Sequence, residues 1–237
     1  MKIILVRPKD SINIGSVARA VQNFGFSKLY LVSPENYDLD LAKKSACWAT
    51  KVLDDLKIFH SIKDAISDLS VVIGFSSRSG KNLPPSSSIN DWLRDVTNKA
   101  IDFDKTGLIF GPEDTGLTNE DLKVVTDFVY IPTSADNPSM NLSHAVAVVL
   151  YCFSQFKSDF AESNISLSCE DNNLASSASL DALEKLIFSV CQKNRFFNEN
   201  TPAEVPNIIG NIFRRSKLSN RDISILQGVF GKSLSEK

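Results

Sequence analysis

An α/β domain on a mostly parallel sheet, followed by a small helical module, is the fold predicted by three features of this 237-residue chain. Short β-branched runs alternate with amphipathic stretches through the first 160 residues, the pattern of strands joined by crossover helices. The segment 161–178 is rich in Ser and Asn, acidic and free of Lys and Arg, which marks a mobile linker. Beyond it, over 179–237, only helical patterns recur.

The elements follow in order. Lys2–Val6 reads as a buried strand. Its apolar run is too short for a signal peptide, and Arg7 and Lys9 follow at once. Pro8 to Gly25 joins that strand to the first helix, with Asn13 as a candidate cap and Gly25 as the residue that ends it. Ile14, Val17, Ala18, Val21 and Phe24 make one apolar face, and Ser16, Arg19 and Asn23 fall opposite. Leu29–Val32, Val71–Phe75, Gly107–Phe110 and Phe128–Ile131 read as further strands, and Ile89–Val96 as an amphipathic helix. Residues 145–153 are apolar almost all round, so that helix is expected in a core or against another subunit. In the last module Leu180, Leu183, Ile187 and Val190 mark a helix with Ser179 as its candidate N-cap, and Asn207–Leu218 and Asp222–Phe230 are further helical candidates.

Composition narrows the function classes. With 43% hydrophobic and 23% charged residues the chain is an ordinary globular sequence. No stretch approaches the roughly 20 apolar residues that span a bilayer. Cys47, Cys152, Cys169 and Cys191 are scattered, and His60 and His144 are the two histidines. No metal site is therefore expected, and reduced thiols point to the cytoplasm. The net charge of −2 argues against a nucleic-acid partner, but residues from 178 onward carry +3 and the remainder −5. A basic tail on an acidic body can supply phosphate contacts.

Three segments stand apart from average α/β sequence. The first, NIGSVARAVQNFGF, holds Asn13 and Arg19. It is either an ordinary amphipathic helix with a solvated arginine or, lying just after a strand, part of a ligand site. The second, LIFGPEDTGL (108–117), runs a strand into a turn where Gly111 and Gly116 permit close approach of backbone to a ligand and Glu113 sits near the tip. No GK[ST] follows, so it is not a phosphate-binding P-loop. The third, YIPTSADNPSMNLSHAVAVVLYCF (130–153), crosses a polar loop into the apolar helix. Its His144 is expected as a hydrogen-bonded core or interface residue, because no Ser or Cys nucleophile motif accompanies it.

In this order and near this spacing the three segments resemble the motifs of the TrmH/TrmJ branch of the SPOUT (trefoil-knot) RNA ribose 2′-O-methyltransferases. NLSHAVAVVLY, the SSRSG loop after Phe75 and the helical module ending IFRRSKLSNRDISILQGVF bring the TrmJ group nearest. The resemblance implies a knotted α/β domain over 1–160 that assembles as a homodimer, with sites combining residues of both subunits. It implies S-adenosylmethionine as cofactor, held mostly by backbone groups at Ser76, Ser77, Arg78, Gly111, Pro112, Glu113, Gly116, Ile131, Met140 and Leu142. Arg19 falls on the family's catalytic arginine, Asn13 six residues before it, Glu113 on the acidic residue of the second motif, and Ser139 and Asn141 on the polar pair of the third. The helical module would bind tRNA, with Arg214, Arg215, Lys217 and Arg221 as its densest basic cluster, and the target would be the cytidine or uridine at position 32 of the anticodon loop. Ribosomal RNA as substrate, a non-catalytic RNA-binding protein of the same fold, and an unrelated nucleotide-dependent α/β protein are the competing readings. The absence of a GxGxxG fingerprint counts against NAD binding.

Overall fold

The computed structural model describes residues 1–77, 86–97, 102–162, 174–197, 201–202 and 204–235. Seven strands run β1 (Lys2–Val6), β2 (Lys28–Val32), β3 (Lys57–Phe59), β4 (Val71–Phe75), β5 (Ser86–Ser88), β6 (Thr106–Phe110) and β7 (Asp127–Tyr130). The helices are α1 (Ser11–Asn23), α2 (Leu39–Ala46), α3 (Thr50–Asp54), α4 (Ile62–Ile66), α5 (Ile89–Thr97), α6 (Asn119–Leu122), α7 (Leu142–Glu162), α8 (Ser177–Lys193), α9 (Val205–Arg215) and α10 (Asn220–Ser235). The strands form one sheet in the order β3-β2-β1-β6-β4-β7-β5. Every pairing among them is parallel.

All five strands expected from the sequence are present to within one residue. β3 and β5 are additions, each three residues long and each at an edge of the sheet. The central strands are buried on both faces, and strand alternation divides their side chains between two cores. Ile3, Leu5, Leu29 and Leu31 point to the layer made by α1, α2, α5 and α7. Ile4, Val6, Tyr30 and Val32 point to the layer made by α4 and α6.

Helix α1 starts three residues earlier than its apolar pattern suggests. Asp10, not Asn13, is its N-cap, accepting from the Ile12 amide at 2.8 Å. Gly25 sits at φ 74°, just past the C-cap, as expected for a residue that ends a helix. α1 packs so closely on α2 that a Cβ on Gly15 would lie 2.0 Å from the Ala42 carbonyl oxygen and 2.1 Å from the Ser45 hydroxyl. The same approach lets the Ser45 hydroxyl donate to the Ile12 carbonyl at 2.9 Å. Gly15→Ala must push the two helices apart, at roughly 1–3 kcal/mol for overpacking. A thermal melt should show this as a fall in Tm of several degrees.

The carboxy-terminal helices share a small core of Leu180, Leu183, Ile187 and Ile223. Ser176 caps α8 by accepting from the Ser179 amide at 3.2 Å, so Ser179 lies inside the first turn rather than at the cap. The start of α8 is tied to the first domain. The Ser177 amide donates to Leu69 O at 2.7 Å, the Ala178 amide to Ser67 O at 3.2 Å, and the Ser70 hydroxyl to Leu174 O at 3.0 Å. Most of the expected mobile linker lies outside the described residues, but its last five, 174–178, are held against the turn before β4.

Candidate active site

A cleft of about 220 Å³ opens where the chain leaves the carboxyl ends of β4, β6 and β7. Such a crevice is where parallel α/β sheets bind ligands. Phe75, Phe110, Ile131, Met140 and Leu142 give it apolar walls, and Ser76, Ser77, Glu113, Thr115, Thr133 and Ser139 give it polar ones. Phe75 and Phe110, neighbours across the β4–β6 pairing, stack at 4.9 Å between ring centroids with planes 9° apart. Backbone lines it at two glycines. A Cβ on Gly111 would lie 2.2 Å from the Gly116 carbonyl carbon and 2.3 Å from the Leu117 amide nitrogen, and Gly116 takes φ 63°.

All the expected cofactor residues that are described line this cleft: Ser76, Ser77, Gly111, Pro112, Glu113, Gly116, Ile131, Met140 and Leu142. Arg78 lies outside the described residues. Phe75, Phe110, Asp114, Thr115, Thr133, Pro138 and Ala145 complete the lining and were not singled out by sequence. Most of them adjoin expected residues, and that adjacency was the available signal.

Hydrogen bonds join the three motif segments at the cleft. The Asn13 amide donates to Glu113 Oε1 at 3.0 Å, and the Asn141 amide donates to Asn13 Oδ1 at 3.1 Å. Glu113 also accepts from the Lys9 amide at 3.1 Å. Asn141 Oδ1 accepts from the Ser143 amide at 2.8 Å and the Ser143 hydroxyl at 2.7 Å, which makes Asn141 the cap of α7. Asn141 and Asn13 thus spend their polar groups on holding loops. The Ser139 hydroxyl lines the cleft and has no hydrogen-bond partner among the described residues.

A second tie was not foreseen from the sequence. Arg7, at the end of β1, donates through Nη1 to Asp121 Oδ1 at 3.1 Å and through Nη2 to Oδ2 at 2.5 Å. Asp121 also closes a capping box with Thr118, a spacing legible in TNED. Burial pushes the Asp121 carboxyl up, but the bonds from Arg7 and Thr118 outweigh it and hold the carboxyl below the usual carboxylate value. A carboxyl whose folded pKa is depressed contributes stability above its unfolded value, near 3.9, that is lost as pH falls toward the folded value. Acid titration below about pH 4 should therefore cost wild-type protein more stability than Asp121→Asn, whose melting temperature should already be lower at neutral pH.

Arg19, His144 and the basic residues of the helical module lie outside the cleft. Arg19 is exposed on α1 and does not line the cleft of its own chain; its Nη1 donates to Cys47 Sγ at 3.6 Å. His144 is exposed at the start of α7, not placed in the core. Arg214 is buried, with 5% side-chain exposure, and pairs with Asp181 and Glu184. It cannot turn to a phosphate without leaving two carboxylates unpaired, which corrects its assignment to RNA. Lys217 reaches Asp127 at 3.2 Å, while Arg215 and Arg221 are exposed. Among the described residues no three His, Cys, Asp or Glu gather to hold a metal ion.

Residues 1–151 match the SpoU rRNA Methylase family. The chain belongs to that family. It is 39% identical over 154 residues to the tRNA (cytidine-2′-O-)-methyltransferase TrmJ of Methanocaldococcus jannaschii, covering 64% of this chain and 66% of that one. To the tRNA (cytidine/uridine/adenosine-2′-O-)-methyltransferase TrmJ of Pseudomonas aeruginosa it is 28% identical over 239 residues, covering 97% and 91%. The crystal structure of TrmJ from Zymomonas mobilis superposes with a TM-score of 0.82 at 25% identity over 99% of both chains. Similarity to the last two therefore runs through the helical module as well as the family domain.

Proposed function

We propose that this chain is an S-adenosylmethionine-dependent tRNA ribose 2′-O-methyltransferase that works as a cytoplasmic homodimer on the cytidine or uridine at position 32. The observation that carries the reading is the cleft itself, where three motif loops meet and are pinned together through Glu113, Asn13 and Asn141. The full-length similarity to TrmJ proteins supports tRNA over ribosomal RNA. No helix among the described residues is long and apolar enough to cross a membrane.

The residues present fit S-adenosylmethionine. Its adenosine suits apolar walls with a floor of backbone, and the floor exists because Gly111 and Gly116 carry no side chains where they meet. When bound, the cofactor supplies an electrophilic methyl group on a positively charged sulfur. Glu113 at the cleft favours that charge, while Asp114 is paired with Lys9 at 2.8 Å. The Ser139 hydroxyl is free to hydrogen-bond the target 2′-OH, while Asn13 and Asn141 keep the loops in register. Such a displacement needs alignment and a route for the hydroxyl proton. A guanidinium is a poor base, so the role we assign Arg19 is to hold the phosphate beside the target ribose.

Arg19 stands outside its own chain's cleft, and this supports a composite site in which it serves the partner's cleft. The exposed faces of α1 and α7, with Ile12 54% and Tyr151 52% exposed, offer apolar surface for such pairing. The test is methylation of unmodified tRNA transcripts with labelled cofactor, followed by mapping of the modified nucleotide. A ribose methyl at position 32 is expected. Methylation of ribosomal RNA fragments with none in tRNA would overturn the substrate assignment.

A further inference from the structure

We infer that Trp48 is a stacking platform for an unpaired base of the substrate RNA. Trp48 is 94% exposed, far beyond any other large apolar side chain among the described residues. Tryptophan is highly buried on average, so a nearly bare indole is unusual. It is presented by a strained turn: Cys47, which ends α2, takes φ 56°, a left-handed conformation that costs a non-glycine residue energy. The Cys47 thiol is the group that Arg19 Nη1 contacts, at 3.6 Å. Trp48 is thus the next residue in the chain after the one that touches the side chain assigned to the target phosphate. Lys44, in the last turn of α2, and Lys51, in α3, flank it in the chain; both are exposed and neither forms an ion pair among the described residues.

A bare flat ring, with Lys44 and Lys51 within four residues of it in the chain and Arg19 bonded to the residue before it, matches the two features every nucleotide offers, a π face and a phosphate. A second copy of this chain fits less well. A two-fold contact centred here would set Arg19, Lys44 and Lys51 against their own copies. Single-stranded loops are where bases are free to stack on aromatic side chains, so the partner is a looped-out or loop base rather than a duplex. The inference rests on the proposed function, since it takes RNA as the substrate and Arg19 as its phosphate clamp.

The test uses the full-length protein and an unmodified tRNA transcript. The chain has two tryptophans, Trp48 and the buried Trp92. In a Trp92→Phe background, emission from Trp48 should be quenched on adding the transcript. Trp48→Ala should raise the KM for tRNA about tenfold, the scale of one lost base stack, with kcat within about twofold and cofactor affinity unchanged. Trp48→Phe should recover most of that loss, because it keeps a π face. No quenching, or an unchanged KM in Trp48→Ala, would overturn the inference even in an active enzyme. A Trp48→Ala protein that sediments as a monomer where wild type is a dimer would assign the indole to a self-contact instead. Wild-type protein that fails to bind S-adenosylmethionine would count against the proposed function, whereas the fluorescence readout stands apart from activity.

Discussion

Arg19→Ala is expected to lower single-turnover methyl transfer to tRNA on the order of 100-fold or more, the scale of losing a positioned transition-state contact. The fold should be untouched. Arg19 is exposed, and among the described residues its one hydrogen-bond partner is the Cys47 thiol, while Ile14, Val17, Ala18 and Val21 bury the opposite face. Cofactor affinity should also hold, because Arg19 lines no part of its own chain's cleft and the group assigned to it is the RNA phosphate, not the cofactor. A solvated surface arginine would give near wild-type rates instead, and that result would remove Arg19 from the catalytic list. Arg19→Lys separates two roles. Lysine keeps the charge and loses the planar fork, so a large loss points to bidentate grip on phosphate, and recovery points to charge alone.

Gly111→Ala should lower cofactor affinity by a comparable factor through a different route. Its new methyl would sit 2.2 Å from the Gly116 carbonyl carbon and 2.3 Å from the Leu117 nitrogen. Both are backbone, so no side chain can swing away and the loop itself must move. That puts the cost at the upper end of the roughly 1–3 kcal/mol for overpacking, on the order of 100-fold in affinity. Calorimetric titration with S-adenosylmethionine measures it directly. The two variants also test the composite site together. If Arg19 serves the partner's cleft, mixing Arg19→Ala with Gly111→Ala and allowing subunits to exchange creates heterodimers with one intact site. Activity should then return from near zero to a sizeable fraction of wild type. Absence of recovery in verified heterodimers would place Arg19 and Gly111 in the same chain's site.

Much of this is legible in the sequence. β1, β2, β4, β6 and β7 declare themselves because a strand buried on both faces must be apolar at consecutive positions. β3 and β5 did not, since three-residue edge strands owe their state to the neighbour they pair with, and Ser86–Ser88 carries no apolar signal at all. Local sequence places the helix N-caps near their true positions but not at them. Asp10 and Ser176, rather than Asn13 and Ser179, accept the first free amides, because capping depends on where the backbone turns and several residues nearby have the right side chain.

The candidate site divides the same way. Motif order and spacing along the chain were enough to nominate the residues that line the cleft, since glycines at a strand end and a polar loop before an apolar helix are local signals. What the side chains do there was settled only by long-range neighbours. Asn13 and Asn141, 128 positions apart, meet each other, and Arg7 meets Asp121 across 114. Arg214 looked like one cation in a basic cluster until α8 brought Asp181 and Glu184 against it. Local pattern determines which elements form, because the backbone and the apolar period act over a few residues. Partnership between charged and polar groups is decided by which distant elements the fold packs together, and a charge becomes structural or free to bind only at that point.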